Sequence, residues 1–402
     1  MVVHAHYPAR ETRVQRQAQA LIAAGHPVDV ICLRDDEPSR SEVDGVRVIR
    51  LPVRRHKDHG LAVQLLEYLA FFVLAAATLS RLHLRHRYAS VQVHNLPDFL
   101  VFAAAVPKVT GTPVILDLHD LMPEFFSARS GVAPGHPLVR LVAAQERISC
   151  AFADHVVTVT GSWKRTLIDR GVDARKISVV MNVPDGNLFR RRPFPAVPAS
   201  DDGLRLFYHG TFTRRYGLDL LLDAVAAVRI TAPDVRLTML GSGEMTDELF
   251  ERRRALGLED VATIVTTPVD VEQLIDMIRG ADIGVVPNRD DVFTDGILPT
   301  KLMEYVALGV PVIAARTTAI AQYFDGDMVE YFTPGDADGL ADAILALRSD
   351  PDRRRRLADN AGAFTQTYDP AATATAYVDV VAGLRAARAR PTERRTARAE
   401  RR

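Results

Sequence analysis

Apolar residues follow two different periods along the chain. Short β-branched runs such as PVDVICL and PVILDLH are separated by longer stretches in which apolar positions recur every three or four residues. The short runs are typical of buried strands, and the longer stretches are typical of amphipathic helices. Strands that alternate with helices are joined by crossovers and therefore pair in parallel. The pattern predicts an α/β protein.

One segment interrupts this alternation. Residues 182–202 contain four prolines and show little periodicity, which is typical of a linker between domains. We therefore predict two doubly wound parallel-sheet domains in tandem. The predicted parts are an N-terminal domain over 1–183, a linker over 184–202, a C-terminal domain over 203–368, a helix over 369–388 that could cross back to the N-terminal domain, and a basic disordered tail over 389–402.

The individual elements follow from the same pattern. In the first half we expect helices over 10–25, 61–85, 97–107, 136–153 and 161–170, with strands at VVHAHY, PVDVICL, SVQVHN, PVILDLH, HVVTVT and ISVV. In the second half we expect strands at LRLFYHG, VRLTML, ATIVT, DIGVVP, PVIAA and MVEYF. Ligands of open α/β sheets bind at the carboxyl ends of the strands. The loops that directly follow strands are therefore the ones to search for chemistry.

Composition adds two limits. A chain of 402 residues with 48% hydrophobic residues is long and apolar enough for two cores. Fifty basic and fifty acidic side chains cancel, so no overall field attracts nucleic acid, and a bound anion must be held by local charge.

Cys32 and Cys150 both lie in apolar runs, which favours buried free thiols in a reducing compartment over a disulfide. We expect a cytoplasmic protein.

The stretch LLEYLAFFVLAAATL (65–79) is the most membrane-like part of the sequence. It is shorter than the ~20 residues that span a bilayer and contains Glu67, so we predict a buried helix. Basic flanks at 54–57 and 81–87 leave an interfacial helix as the alternative. That alternative corresponds to peripheral association with the inner face of a membrane.

The segment DGILPTKLMEYVALGVPVIA (295–314) carries the candidate chemistry. A helix from Thr300 would place Lys301 and Glu304 on one face together with Tyr305 and Leu308. Free N–H groups at the helix start and the lysine suit a phosphate, and a carboxylate one turn later suits the hydroxyls of a ribose. The pattern indicates a nucleotide site, although an ordinary surface Lys–Glu pair has the same spacing.

PTKLMEYVALGVPVIA is similar to the donor-binding segment of retaining glycosyltransferases with the GT-B fold, family four. ETRVQRQAQALIAAGHPVDVICL, LDLHDLMPE, YHGTFTRRYGLDLLLDAV and LTMLGSGEMTDEL resemble further segments of that family in the same order. The resemblance implies two Rossmann-like domains facing a cleft. It also implies transfer of a sugar, with retention, from a nucleotide-diphosphate sugar, UDP favoured, without a metal or other cofactor. The acceptor stays open between a lipid-linked sugar, a polysaccharide and a small metabolite.

The resemblance also implies roles for individual residues. Arg215 and Lys301 would hold the leaving diphosphate, and His119 would face the anomeric centre. Two departures are Thr211 and Tyr216, where many members carry basic residues. A third is Gly296, which replaces the first of two family glutamates, with Asp295 as a stand-in. The full set of donor-side candidates is Gly210, Thr211, Arg214, Gly241, Thr267, Val269, Asp295, Gly296, Thr300, Leu302 and Glu304. Acceptor-side candidates are His94, Arg10 and Arg13.

Two alternatives stay open at this point. A nucleotide-sugar 2-epimerase would share the layout and the leaving-group chemistry. A catalytically degenerate binding protein would retain the fold, which the departures at Thr211, Tyr216 and Gly296 motivate. The acidic residues Asp290, Asp291, Asp325 and Asp327 lie in polar loops and are interpreted as solvated, so no metal site is expected.

Overall fold

The computed structural model describes residues 1–8, 11–54, 60–191 and 203–399. By internal contacts the chain forms two compact units. The first holds residues 1–181 together with the chain from 372 onward, and the second holds residues 182–371. Predicted linker residues 192–202 lie outside the described ranges, as does Arg10.

The first unit is built on one sheet. Its strands are β1 (Asp29–Leu33), β2 (Arg40–Val43), β3 (Val46–Leu51), β4 (Val91–His94), β5 (Val114–Leu118), β6 (His155–Thr158) and β7 (Ile177–Val179). The first residues of the chain lie between β1 and β4, since the Val3 amide donates to Ile31 and the Val2 amide donates to Gln92. The pairing is parallel except for β2, which runs antiparallel to β3 at the edge.

The β2–β3 hairpin is absent from the sequence prediction. Its turn is Asp44–Gly45, and both residues have positive φ, 48° and 79°. Asp-Gly between two short alternating runs is a strong hairpin signal, so the sequence does contain the information. The run RSEV is too polar to resemble the buried strands around it.

Helices of the first unit cover both faces of this sheet. They are α1 (Thr12–Ala23), α2 (Leu61–His86), α3 (Ala105–Val109), α4 (Met122–Ser130), α5 (Pro137–Phe152) and α6 (Gly161–Asp169). The predicted helix over 97–107 is instead a 3-10 helix over 98–104 followed by α3. The prediction that α2 is buried is wrong. Only a ridge that includes Phe71, Ala75 and Leu79 is buried, and the opposite face is exposed.

The second unit has six parallel strands. They are β8 (Arg205–His209), β9 (Arg236–Leu240), β10 (Ala262–Val265), β11 (Ile283–Val286), β12 (Val312–Ala315) and β13 (Glu330–Phe332), in the order β10-β9-β8-β11-β12-β13. The helices are α7 (Leu218–Thr231), α8 (Thr246–Ala255), α9 (Val271–Arg279), α10 (Thr300–Leu308), α11 (Thr318–Tyr323), α12 (Ala337–Ser349) and α13 (Pro351–Thr367). Strand order reverses between β8 and β11, which is where doubly wound sheets bind ligands.

The last helix, α14 (Pro370–Ala399), packs into the first unit. Its Tyr377 and Val381 are buried in the core that also contains Val14, Val30 and Val48. The predicted disordered tail begins at 389, but the described chain continues as helix to Ala399. Alanine and arginine are good helix formers, and they dominate this segment.

Candidate functional site

The carboxyl ends of β8 and β9 approach each other closely in the second unit. The chain leaves β8 through Gly210, whose φ is +126°, and leaves β9 through Gly241, whose φ is +150°. A Cβ added to Gly241 would lie 1.9 Å from the Gly210 carbonyl oxygen. A Cβ added to Gly210 would lie 3.1 Å from Cε of Lys301. Glycine at both positions therefore lets the two loops and the Lys301 side chain meet.

Lys301 lies in the first turn of α10 and is buried, with 7% of its surface exposed. Its ammonium is 4.3 Å from the ring centre of Tyr216 and 5.1 Å from that of Tyr208, within range of cation–π attraction. Burial lowers the pKa of Lys301 to about 8, and nearby Glu304 opposes that shift. Tyr216, a departure from the family pattern, thus contributes an aromatic face to the lysine.

Most of α10 is buried, which corrects the predicted division into a ligand face and a core face. Tyr305 was expected on the ligand face with Leu308, but both are buried, and the Tyr305 hydroxyl donates to the Phe207 carbonyl at 3.2 Å. Leu302 is fully buried. Thr300 is exposed at the helix start, where no side chain caps the helix.

Glu304 faces a histidine that the sequence analysis missed. His209, the last residue of β8, places Nε2 3.2 Å from Oε2 of Glu304, although Nε2 has no hydrogen-bond partner among the described residues. Burial lowers the pKa of His209 to about 3, and Lys301 acts in the same direction, so the imidazole is neutral. His209 ends a strand directly before a glycine loop, and that position was a usable signal.

Asn288 is the second residue missed. It follows β11 and is fully buried, and neither its amide nitrogen nor its amide oxygen has a hydrogen-bond partner within the described chain. The next residue, Arg289, donates its amide to the Arg215 carbonyl at 2.9 Å, which places Asn288 beside the loop after β8. A buried amide that lacks partners is costly, so such a group is a candidate ligand contact.

Arg214 and Arg215, in the loop after β8, contact different groups. Arg214 is exposed, and its guanidinium lies 2.6 Å from the Glu248 carboxylate of α8, so its expected donor role stays a prediction. Arg215 is half-buried, and its guanidinium carbon lies 5.2 Å from the ring centre of Phe293. Thr211 is exposed, and its carbonyl accepts a hydrogen bond from Tyr208 at 3.0 Å.

Asp295 has a contact within the second unit, and its role as a stand-in for the missing glutamate stays a prediction. Its Oδ1 accepts the Thr318 amide at 2.7 Å, so the carboxylate serves the start of α11. Gly296 is buried in a 3-10 turn over 294–296. Thr267 is exposed and Val269 half-buried in the loop after β10, the edge strand.

The first unit contains a buried cluster of polar side chains around Asp117 of β5. Nε of Arg13 donates to the Asp117 carboxylate at 3.1 Å, and Nη1 donates to the Val180 carbonyl at 2.9 Å. Gln17 donates to the same carboxylate at 2.8 Å. Asp117 is fully buried; the Arg13 charge holds its pKa below the usual range against the effect of burial. The expectation that Arg13 contacts an anionic ligand is therefore wrong.

His94 is the last residue of β4 and His119 directly follows β5, the neighbouring strand, but the two side chains differ in exposure. His94 is fully buried, with Nδ1 3.4 Å from Asp117, and burial lowers its pKa. The sequence predicts that His94 contacts the acceptor, but this side chain is not accessible in the structure. His119 is half-buried; its amide donates to Oδ1 of Asn95 at 3.2 Å, and its Nδ1 has no partner in the described ranges. Asn95, also missed, holds the His119 loop because its Oδ1 accepts the His119 amide and its Nδ2 donates to the Asp120 carbonyl.

Cys32 and Cys150 are free and buried, as predicted. The described residues contain no group of three or more histidine, cysteine, aspartate or glutamate side chains that could hold a metal ion.

Comparison with known proteins gives consistent matches. Residues 10–183 match the glycosyl transferase 4-like domain, and residues 203–350 match the glycosyl transferases group 1 domain. The chain is 31% identical over 289 residues to D-inositol 3-phosphate glycosyltransferase 2 of Catenulispora acidiphila, covering 67% of this chain and 65% of that relative. It is 26% identical over 386 residues to the glycogen synthase of Mycobacterium tuberculosis, covering 92% and 90%.

Solved structures agree on the fold. Sucrose-phosphate synthase from Thermosynechococcus elongatus superposes with a TM-score of 0.76 at 22% identity, covering 96% of this chain and 98% of that one. Anabaena HepE in complex with UDP-glucose superposes with a TM-score of 0.69 at 17% identity, covering 95% and 98%. The sequence prediction of two Rossmann-like GT-B domains is confirmed. The chain belongs to the GT-B glycosyltransferases that combine a glycosyl transferase 4-like domain with a group 1 domain.

Proposed function

We propose that this protein transfers a sugar from a UDP-sugar to an acceptor hydroxyl or amine with retention of the anomeric configuration. The observation that carries the proposal is Lys301, a buried ammonium that forms no ion pair in the described part of the chain. Burying a charge without a counter-ion is costly, and a polyanion that binds against it removes that cost. A diphosphate beside Gly210 and the uncapped start of α10 satisfies this requirement.

Transition-state charge explains why such a cation would be catalytic. As the bond between the sugar and the diphosphate breaks, negative charge develops on the leaving group. A fixed cation there stabilises the transition state more than the ground state. Lys301 and the first-turn amides of α10 supply this stabilisation, and the half-buried Arg215 adds to the local positive charge. The departing phosphate would take the acceptor proton, so no enzyme nucleophile is required.

The rest of the donor would be recognised by polar groups around Lys301. Glu304 lies one turn deeper in α10 and can accept hydrogen bonds from the ribose hydroxyls. His119 of the first unit is proposed to contact the sugar. We favour UDP because Anabaena HepE, a structural neighbour, was solved with UDP-glucose. Metal independence and a cytoplasmic location remain predictions.

The test begins with calorimetry of UDP and GDP, followed by a transfer assay over lipid-linked, polysaccharide and small-metabolite acceptors, with the product anomer assigned by NMR. We expect UDP to bind more tightly than GDP. Lys301→Met should lower turnover by about 100-fold or more, because one preorganised donor in a site of this kind is worth that much. Lys164→Met, which removes a lysine of the first unit, is the matched control.

Three results would contradict the proposal. Conversion of the UDP-sugar without any acceptor would identify a 2-epimerase, although the relatives named above are all glycosyltransferases or synthases. Nucleotide binding without turnover on any acceptor would identify a degenerate binding protein. Loss of activity on addition of EDTA would overturn metal independence.

A further inference from the structure

Donor chemistry does not explain the exposed face of α2. Only 17% of the apolar stretch Val63–His86 is buried. The exposed fraction is 66% for Leu66, 61% for Val73 and 52% for Leu65. Leu66, Ala70, Val73, Ala77 and Arg81 are spaced by four, three, four and four residues, so they form one stripe along the helix. An apolar face of this length in contact with water indicates a partner surface.

Helix α2 is long and apolar enough to cross a bilayer, but in this structure it is packed into the first unit. Its buried ridge at Phe71, Ala75 and Leu79 packs against the unit, and α2 is the crossover from β3 to β4 in the parallel sheet. Withdrawing it would expose that ridge and the strands beneath it. The face is therefore suited to lie on a surface rather than to cross one.

Helix α5 extends the same side of the unit. The crossovers from β3 to β4 and from β5 to β6 run in the same direction across the sheet, and right-handed connections place α2 and α5 on one side. Both contact the 3-10 helix over 98–104, as shown by the ring contacts Phe72–Phe99 and Phe102–Phe152. Helix α5 exposes Leu138, Leu141 and Ile148.

The C-terminal end of α2 supplies positive charge. Thr78, Arg81 and Arg85 of α2 and Arg40 of β2 line a cavity of about 420 Å³, and Glu42 of β2 is the exposed acidic residue in its lining. Arg47 also lines this cavity, but its charge is matched by Asp29 at 2.7 Å. Arg40, Arg81 and Arg85 are exposed and form no ion pair within the described ranges. Glu67 is the single acidic residue of α2.

From this arrangement we propose that the α2 face docks on a bilayer that contains anionic lipids. The apolar stripe enters the boundary between headgroups and acyl chains, and a lipid phosphate occupies the cavity of Arg40, Arg81 and Arg85. Apolar residues beside clustered arginines are the composition that favours such interfaces. A second copy of the chain is a poorer occupant, because two facing copies would bring Arg40, Arg81 and Arg85 of each chain close to like charges. The inference goes beyond the proposed transfer reaction.

The test is co-sedimentation of the full chain with vesicles of phosphatidylcholine alone or mixed two to one with phosphatidylglycerol. We expect binding to the mixed vesicles that weakens with salt, since headgroup contacts are screened. Arg81→Glu/Arg85→Glu should weaken binding by about tenfold or more, and Leu66→Gln/Val73→Gln should weaken it on both kinds of vesicle. Ile230→Gln and Arg175→Glu, at exposed sites outside α2, are the matched controls.

Calorimetry with UDP on every variant separates this inference from the donor site. Unchanged UDP binding with lost vesicle binding supports docking through α2. Two outcomes overturn it: wild-type protein that ignores both kinds of vesicle, and α2 variants that bind as well as wild type. A dimer seen by analytical ultracentrifugation, dissociated by Leu66→Gln/Val73→Gln without any vesicle binding, would assign the face to a second copy instead.

Discussion

Lys301, the residue proposed to bind the diphosphate, is held in a state that is unfavourable for the empty protein. Its ammonium is removed from water and contacts two tyrosine rings. Under the proposed function, the protein gives up stability for a cation that is already positioned before the diphosphate binds. Stability and ligand affinity should therefore change in opposite directions when this side chain loses its charge.

Lys301→Met should make the ligand-free protein more stable near neutral pH. The pKa of Lys301 is about 8 in the folded protein and 10.5 in the unfolded chain. Between these pH values the unfolded chain binds more protons, so the free energy of unfolding of the wild type rises with pH. Below pH 8 the wild type carries the full cost, at most about 3 kcal/mol. The gain should vanish above pH ~10. Thermal unfolding at neutral and alkaline pH, with Lys164→Met as control, measures this; an equal gain at both pH values would contradict the burial argument.

Asn288→Leu tests the second missed residue in the same way. Removing an amide that has no partner in the described chain should leave the empty protein unchanged or more stable. If the donor satisfies this amide, UDP-sugar affinity should fall by about 1–2 kcal/mol. Calorimetry and thermal unfolding give the two numbers. Lower stability with unchanged affinity would show that Asn288 has a structural role only.

At the scale of elements, the start of α1 is fixed by a charge pair that resembles a ligand site in the sequence. Arg13 follows the VVHAHY run at the start of the chain, in a polar pattern typical of a loop. Nothing local shows that Asp117, on β5, will contact it. Both side chains are buried, at 6% and 0% exposure. Pairs of this kind hold elements in place, and loss of one partner leaves an uncompensated charge.

Arg13→Met should therefore destabilise the protein by about 3–5 kcal/mol. Urea unfolding measures the loss. The double variant Arg13→Met/Asp117→Leu should recover much of it, because no buried charge is left unpaired. A folded Arg13→Met protein of normal stability that has lost acceptor affinity would restore the anion-contact role.

At the scale of the whole molecule, the two ends of the chain belong to one unit. The first residues form the centre of the N-terminal sheet, and Tyr377 of α14 is buried against it, with its hydroxyl donating to Gln92 at 2.5 Å. The C-terminal helix is therefore part of the first unit's core, although the sequence places it after the second.

Tyr377→Ala should destabilise the first unit by about 3–5 kcal/mol, as expected for a fully buried aromatic side chain. Hydrogen exchange should show lost protection within residues 1–181, with residues 203–371 little changed. Ile230→Ala, at an exposed position of α7, is the control. Protection lost mainly from the second unit would contradict the assignment of α14.

The sequence by itself determined the alternation of strands and helices, the parallel pairing, the GT-B class and the segment around Lys301 that is proposed to bind the donor. These depend on local periodicity and on motifs whose order survives along the chain. Only the tertiary structure decided which charges are buried, that His209 and Asn288 join the site, that Arg13 pairs with Asp117, and that the apolar face of α2 is exposed. Those properties depend on residues distant in sequence that meet only when strands and loops are stacked. The position of His209 before a glycine loop indicates a site, but not its approach to Glu304.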